Sequence, residues 1–420
     1  MNRISIILAL TISLYACRRI IADHAVERAR FLDTFTIKGA GGEHHMETAA
    51  AHGANTIRTW AVRGDGNSLK MLDKAHKLRL RVILGVWMPP RPIDAKKHHE
   101  SDRQFDYAKN RDSHVQTMQR LLNLYDDHPA LLMWGLGNEV VLSPEYLKTV
   151  NLMSELVHRH NPSRLTCIVC VNASQEGVKM IKEFAPDLDV YGANSYGQGS
   201  MNNVSRLLET QWGKKYFFAE YAHHGPWSAP KTASKYPLEF SPADKLKRLR
   251  QTLPVFSKYK NCVGGVYFTW GPFKNGTETW FSGLLPENPA EYDHSTHCYL
   301  TPFTDELQKY WTGTQVDNHA PVISRVTINN QYGINLSLTA KSVAQIHVDV
   351  KDAEDDPLQF KYWIFKTKEQ VRGKKVSGPY VGTPDIEINA PANSGEYTLL
   401  IYAIDEEGKA SSHQVPFIVK

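Results

Sequence analysis

The chain has 420 residues, more than one typical domain, and 42% of them are hydrophobic, which is enough to build a full core. Its formal net charge of +5 is small for this length, so the composition predicts neither a nucleic-acid partner nor a polybasic membrane-binding arm. The five cysteines argue against a disulfide scaffold.

Residues 1–17 have the pattern of an export signal. A single arginine precedes an apolar stretch from Ile4 to Tyr15, which is too short to span a bilayer as a mature helix and has the form of a secretory signal. The segment ending at Cys17 is similar to the bacterial lipoprotein signal, in which the cysteine is lipidated. We therefore expect export to the periplasm, the cell envelope or the medium, either with membrane attachment through lipidated Cys17 or by ordinary secretion. An uncleaved N-terminal helix is the remaining alternative.

Residues 31–312 alternate between apolar runs of strand length and segments with helical periodicity. Eight such alternations in about 280 residues predict an α/β fold, one (β/α)8 TIM barrel. The predicted strands are Phe35 to Gly39, Thr56 to Trp60, Arg81 to Trp87, Leu131 to Gly137, Leu165 to Val171, Val190 to Ser195, Tyr216 to Glu220 and Gly264 to Trp270.

Helix start signals support the same reading. Ser143-Pro144 precedes a predicted helix from Glu145 to His160, and Ser241-Pro242 precedes another that runs to about Phe256. Apolar residues at i, i+3 and i+4 predict a helix over Asp112 to Tyr125.

The pattern changes between Thr312 and Pro321. From residue 319 to 420, alternation and turn residues predict about seven short strands in a small antiparallel β-sandwich of immunoglobulin-like type. The clearest runs are Val322 to Ile328, Ala344 to Val350, Leu358 to Phe365, Asp385 to Ile388 and Tyr397 to Ile404. The segment from Val350 to Leu358 resembles an acidic turn of bacterial immunoglobulin-like and cadherin-like modules, which is either merely solvated or binds calcium.

Two glutamates each close a predicted barrel strand. Glu139 follows the fourth strand and Glu220 ends the seventh, 81 residues later, which is about three strand-helix units of a barrel. The active site of a TIM barrel forms at the C-terminal ends of its strands, so both carboxylates should face one cavity. Two such carboxylates are the equipment for glycoside hydrolysis, and retention requires about 5 to 5.5 Å between them.

Other residues at the same strand ends suit this chemistry. The Asn138 amide can bind a sugar hydroxyl, and Arg58 and Tyr196 can hold a neighbouring carboxylate ionised and oriented. Further predicted substrate contacts are stacking on Trp270, Trp87 and Trp227, and His223 just after Glu220. Each tryptophan can instead plug the barrel mouth, and Trp134 is predicted to lie in the core.

Residues 31–312 resemble the clan A glycoside hydrolases, and most nearly the barrel domain of glycoside hydrolase family 2 and its short relatives. The resemblance implies that Asn138 and Glu139 are the Asn-Glu pair of strand 4, with Glu139 as acid/base, and that Glu220 is the nucleophile of strand 7. It also implies that Arg58, Tyr196 and Trp270 are the family's arginine, tyrosine and tryptophan platform. Ala219 and Ala222 replace the customary threonine and glycine beside the nucleophile.

Three functions remain open from the sequence. The first is a retaining β-glycoside hydrolase acting on an extracellular or periplasmic glycan; the second is a β-glucan transglycosylase with the same intermediate; the third is a non-catalytic carbohydrate-binding protein. No cofactor is expected. No metal is expected either, because no His-x-His follows the first strand and no His and Asp set recurs at later strand ends.

Overall fold

The computed structural model describes residues 24, 26–62, 66–95, 104–273, 278–293, 296–368 and 371–420. The predictions for residues 1–17, including lipidation of Cys17, lie outside the described residues. Within these ranges, no helix combines the length and apolar character needed to cross a bilayer.

The first eight strands form a closed parallel barrel in sequence order, with the first strand paired to the eighth. The predicted TIM barrel is therefore confirmed. Its strands are β1 (Ile37–Gly41), β2 (Thr56–Arg58), β3 (Arg81–Val86), β4 (Leu131–Asn138), β5 (Leu165–Val171), β6 (Val190–Asn194), β7 (Tyr216–Tyr221) and β8 (Cys262–Tyr267). The strands that differ most from the prediction are β1, which begins two residues later, and β8, which ends three residues earlier.

The strands are buried on both faces because side chains alternate between the barrel interior and the helix layer. Met133 and Cys167 belong to the interior cluster, whereas Trp134 and Cys170 pack in the cluster that joins strands to helices. Trp134 is fully buried, as predicted for a core residue. Cys167, Cys170, Cys262 and Cys298 are free thiols.

The helices begin where the capping signals predict. The side chain of Ser143 accepts a hydrogen bond from the Tyr146 N–H, and Ser241 does the same for Asp244. Asp106 caps the third helix, which therefore starts before Asp112. The helices are α1 (Met46–Ala51), α2 (Asn67–Lys77), α3 (Tyr107–Tyr125), α4 (Pro144–His160), α5 (Gln175–Phe184), α6 (Gln198–Leu207), α7 (Pro242–Thr252), α8 (Val255–Lys258), α9 (Glu278–Phe281) and α10 (Pro302–Thr312).

The predicted helix from Ser241 to Phe256 is divided into α7 and α8. Pro254 lies at the break, since proline has no N–H to continue the helical hydrogen bonds and its ring obstructs the preceding turn.

The C-terminal region contains two facing sheets. Between the barrel and these sheets lie β9 (Leu284–Pro286) and β10 (Cys298–Leu300). The strands of the two sheets are β11 (Val322–Ile328), β12 (Ser337–Leu338), β13 (Val343–Lys351), β14 (Gln359–Lys368), β15 (Val371–Gly382), β16 (Asp385–Asn389), β17 (Gly395–Ile404) and β18 (Ala410–Val419). One sheet has the order β11-β13-β16 and the other β12-β18-β17-β14-β15, and the core between them includes Val326, Ile346, Tyr362, Leu399 and Phe417. This agrees with the predicted sandwich, while its immunoglobulin-like character remains a prediction.

The sandwich packs against the barrel through the outer face of its larger sheet. Leu285 and Tyr299 of the β9–β10 hairpin share one apolar cluster with Trp363, Leu400 and Tyr402 of the sandwich. Because these apolar side chains are buried against one another, the two domains form one packed unit.

Candidate active site

A sharp bend at the end of β4 delivers Glu139 to the barrel mouth. Gly137 has φ +95° and Glu139 has φ +54°, both in the left-handed region. The Glu139 N–H donates to the Val169 carbonyl at 2.9 Å, which ties the bend to β5. A Cβ atom on Gly137 would lie 2.4 Å from Tyr146 Oη, so this position excludes a side chain on two grounds.

Gly137→Ala should therefore lower both stability and activity. We expect the free energy of unfolding to fall by about 2–4 kcal/mol, from backbone strain together with the clash at Tyr146. Gly213→Ala is the matched control, because Gly213 has φ +76° but nothing within 4 Å of an added Cβ. Urea unfolding should show the smaller loss, about 1 kcal/mol, for the control; equal losses would contradict the steric part of the argument.

Glu220 is buried at the end of β7 and accepts three hydrogen bonds. Arg58 Nη1 donates to Oε1 at 3.0 Å, Trp60 Nε1 donates to the same oxygen at 2.7 Å, and Tyr196 Oη donates to Oε2 at 2.7 Å. The Arg58 guanidinium is itself buried and also donates to the Ala219 carbonyl at 2.9 Å. A carboxylate with this many fixed donors is held in one orientation.

Glu139 has a different environment. Part of its side chain is exposed at the barrel mouth, but the protein surrounds the carboxyl group closely enough that burial raises its pKa above the usual value, and the negative charge of Glu220 raises it further. One donor opposes this: Asn194 Nδ2 lies 2.8 Å from Glu139 Oε1. The carboxyl group of Glu139 therefore keeps its proton to a higher pH than an ordinary glutamate does.

A continuous set of hydrogen bonds joins the two carboxyl groups. Arg58 Nη2 donates to Asn138 Oδ1 at 2.6 Å, and Asn194 Nδ2 donates to the same oxygen at 3.2 Å as well as to Glu139. The structure therefore brings together the predicted residues Arg58, Asn138, Glu139, Tyr196 and Glu220.

Asn194 and Trp60 belong to this network although neither was among the predicted site residues. The available signal was their position at the ends of the sixth and second predicted strands, the same signal that selected Tyr196 and Arg58. Trp60 also lies under the Arg58 guanidinium, with 5.2 Å from Cζ to the ring centroid.

Trp270 does not reach the cavity, which corrects the predicted platform. The Trp270 ring is fully buried and packs against His52 and Trp311, at centroid distances of 5.7 and 5.9 Å. The reason is that β8 ends at Tyr267, and the Trp270 N–H then bonds to the Gly41 carbonyl. Phe268 provides the aromatic side chain at this strand end, 5.7 Å from the Trp60 ring.

His223 is also buried, so the predicted substrate contact is wrong for this residue. Its ring nitrogens face the carbonyl oxygens of His224 and Trp280, at 2.8 and 2.6 Å. Burial, with a smaller contribution from Lys245, lowers the pKa of His223 to about 3. The neutral ring donates to one of these two carbonyls and belongs to the wall behind the cavity.

Trp87 and Trp227 are exposed, by 57% and 60%, so each of these rings can meet a ligand. Trp227 lies beside the network, with 5.0 Å between its ring centroid and that of Tyr196. Trp87 follows the last residue of β3 and so lies at the same end of the barrel. Their roles as substrate contacts remain predictions.

A cavity of about 320 Å³ opens beside Trp60. It combines aromatic rings with polar groups, the mixture that a sugar ring requires for stacking and hydrogen bonding. A second cavity, of about 730 Å³, extends from Glu139 along α4 and α5. The residues that line the cavity beside Trp60 include Glu43, His44, Thr59, Trp60 and Phe273.

The acidic turn of the sandwich brings carboxylate oxygens of Asp352, Glu354 and Asp356 within 4.8 Å of one another. Asp352 Oδ1 accepts the backbone N–H groups of Glu354 and Asp356, and Glu354 contacts His319. These contacts are those of a hydrogen-bonded turn, and calcium binding remains an untested alternative.

The family model for the TIM barrel domain of glycosyl hydrolases family 2 matches residues 81–246. This segment contains both glutamates and strands β3 to β7. The barrel is similar to that of glycoside hydrolase family 2. At the level of the family, the match supports a glycosidase.

Similar solved structures share little sequence with this chain. An FMN-binding β-glucuronidase from Facaelibacterium prausnitzii L2-6 is 15% identical, with 95% of this chain and 53% of that chain covered and a TM-score of 0.44. The β-D-glucuronidase of Dictyoglomus thermophilum is 17% identical, with coverage of 67% and 51% and a TM-score of 0.49.

Gas2p of Saccharomyces cerevisiae, in complex with laminaritriose and laminaritetraose, is 12% identical, with coverage of 68% and 66% and a TM-score of 0.42. The chain spans about half the length of the two glucuronidases. No curated protein sequence matches the chain. Similarity this low leaves the substrate of this protein open.

Proposed function

We propose that the protein is a retaining β-glycoside hydrolase that cleaves an extracellular or periplasmic glycan by double displacement. Glu220 is the nucleophile and Glu139 is the acid/base. The observation that carries the proposal is the unequal environment of two glutamates within one hydrogen-bond network. Glu220 accepts bonds from Arg58 and two other donors, whereas burial raises the pKa of Glu139.

The first displacement uses this difference. A Glu220 oxygen attacks the anomeric carbon while the bond from that carbon to the leaving oxygen breaks, and Glu139 gives its proton to the leaving oxygen. Asn138 is placed to bind a sugar hydroxyl next to the reacting carbon, because the same amide is fixed by Arg58 and Asn194. The two donors on its oxygen leave the amide N–H groups for the sugar.

The second displacement reverses the roles. Glu139, now ionised, takes a proton from water, the water oxygen attacks the anomeric carbon, and Glu220 leaves as a carboxylate. Arg58, Trp60 and Tyr196 stabilise the departing carboxylate, because their donors are already in place. Two inversions at one carbon give a product with the configuration of the substrate.

The proposal is tested by a panel of aryl β-glycosides and β-linked oligosaccharides, including β-glucuronides and laminari-oligosaccharides, with Glu220→Ala as the blank. We expect the wild-type protein to hydrolyse at least one of these substrates and Glu220→Ala to hydrolyse none. NMR should show the β-anomer as the first product. An α-anomer as first product would exclude retention. An added acceptor oligosaccharide separates hydrolysis from transglycosylation, since only the latter gives longer products at the expense of free sugar.

The pH dependence of kcat/KM should report Glu139. Activity needs its protonated form, so kcat/KM is expected to fall as the pH rises through the Glu139 pKa, which burial places above the usual value for a glutamate. An aryl glycoside whose leaving group needs no proton is the control. Its kcat/KM should decrease much less at alkaline pH. The same alkaline decrease for both substrates would contradict the assignment of Glu139 as the acid.

A further inference from the structure

The sandwich contacts the wall of the candidate active site through a buried glutamine on β18. Val415 and Phe417 point into the sandwich core, so Gln414 lies on the opposite face of the strand, against the barrel. Gln414 is 1% exposed. Its Oε1 accepts a hydrogen bond from Tyr236 Oη at 3.0 Å, and its Nε2 donates to Thr279 Oγ1.

Thr279 belongs to the short helix α9, which is held from several sides. Thr279 Oγ1 donates to Glu239 Oε2 at 3.0 Å, and the Lys245 ammonium donates to the Thr279 carbonyl at 2.8 Å. Lys245 and Glu239 form an ion pair that is almost fully buried. A helix of four residues has little stability of its own, so these contacts fix its position.

Phe281 ends α9 and packs behind the catalytic network. Its ring centroid lies 5.4 Å from that of Tyr196, 5.7 Å from that of Phe268 and 6.0 Å from that of Trp227. Tyr196 in turn donates to Glu220 at 2.7 Å. A displacement of α9 therefore moves the ring that supports Tyr196.

We infer that Gln414 of the C-terminal sandwich is a positioning residue for the nucleophile, acting through α9, Phe281 and Tyr196. The inference rests on the proposed role of Glu220. Removal of the Gln414 amide deprives the buried hydroxyls of Tyr236 and Thr279 of one hydrogen-bond partner each. Buried polar groups that lose a partner move toward other partners or water. A misplacement of about 1 Å at a reacting group can lower the rate by about 100-fold.

The test is a double-mutant cycle with Gln414→Leu and Tyr196→Phe, measured as kcat and KM on one activated aryl glycoside. Gln414→Leu alone should lower kcat about 10- to 100-fold with little change in KM. In the Tyr196→Phe background the same substitution should lower kcat less than about 2-fold, because the contact that carries its effect is already lost. Equal effects in both backgrounds would overturn the inference.

Two further variants separate positioning from loss of stability. Gln414→Glu retains an acceptor for Tyr236 but not the donor to Thr279, so its kcat should lie between those of wild type and Gln414→Leu. Lys361→Met is the matched control, because Lys361 donates to Tyr299 Oη at 3.1 Å across the same domain contact. It should lower Tm without lowering kcat. A parallel loss of kcat in the control would assign the effect to the domain contact as a whole.

Hydrogen exchange provides a readout that does not depend on glycosidase activity. Gln414→Leu should increase exchange in residues 279–283 and also in residues 194–197, whereas Lys361→Met should leave both unchanged. An increase confined to residues 279–283 would show that Gln414 only stabilises α9. A wild-type protein that is inactive on every glycoside would contradict the proposed function, and the exchange result would still decide whether Gln414 influences Tyr196.

Discussion

Glu220→Ala should abolish turnover of every glycoside, with kcat reduced by roughly four to six orders of magnitude, as expected when a nucleophile is removed. Without this carboxylate no glycosyl-enzyme can form. Azide at high concentration should restore turnover, because the small anion fits the space left by the side chain and attacks the anomeric carbon from that face. The product would be the α-glycosyl azide, with inverted configuration, which NMR distinguishes from the β-form.

Glu387→Ala is the matched control for this loss, because Glu387 is an exposed glutamate of β16 in the sandwich, outside the barrel and the catalytic network. It should retain wild-type kcat. Full activity of Glu220→Ala without azide would show that the site lies elsewhere in the chain.

Glu139→Ala should be selective rather than fully inactive. The leaving oxygen no longer receives a proton, so kcat/KM on glycosides with poor leaving groups should fall about 10²- to 10⁴-fold. Aryl glycosides with activated leaving groups should still form the glycosyl-enzyme, because Glu220 and its three donors are intact. Azide should then accelerate the second step and give the β-glycosyl azide, with retained configuration.

The two azide products assign the roles of the carboxylates independently of any pKa. A retained product from Glu220→Ala together with an inverted product from Glu139→Ala would mean that the nucleophile and the acid/base are exchanged. The exposed side chain of Glu139 at the barrel mouth allows azide to approach without rearrangement of the barrel.

The barrel was predictable from the sequence because parallel strands buried on both faces produce continuous apolar runs that stand out between amphipathic helices. The same regularity located Glu139, Glu220, Arg58 and Tyr196, since each follows or ends such a run. Asn194 satisfies this rule too, but an asparagine before a serine and a tyrosine carries no distinct chemical signal. Its role appears only when its two hydrogen bonds are seen.

The aromatic and histidine positions beyond the strand ends were less predictable. A residue three positions past a strand can turn outward or inward. The direction depends on long-range backbone hydrogen bonds, here from the Trp270 N–H to the Gly41 carbonyl and from the Leu284 N–H to the Trp270 carbonyl. His223 follows Glu220 by three residues, and its burial depends on Phe281 and Trp280, which come from a helix more than fifty residues away. Contacts of this range have no local sequence pattern.

The apolar cluster of Leu285, Tyr299, Trp363, Leu400 and Tyr402 bears on how this barrel can be engineered. The predicted boundary near residue 319 divides the sequence but passes through a region of continuous packing. A barrel transferred alone into a fusion protein would expose Leu285 and Tyr299, which the sandwich normally covers, to water. The protein would then become prone to aggregation. Domain exchange should therefore move the barrel and sandwich as one unit, or replace Leu285 and Tyr299 by polar residues first.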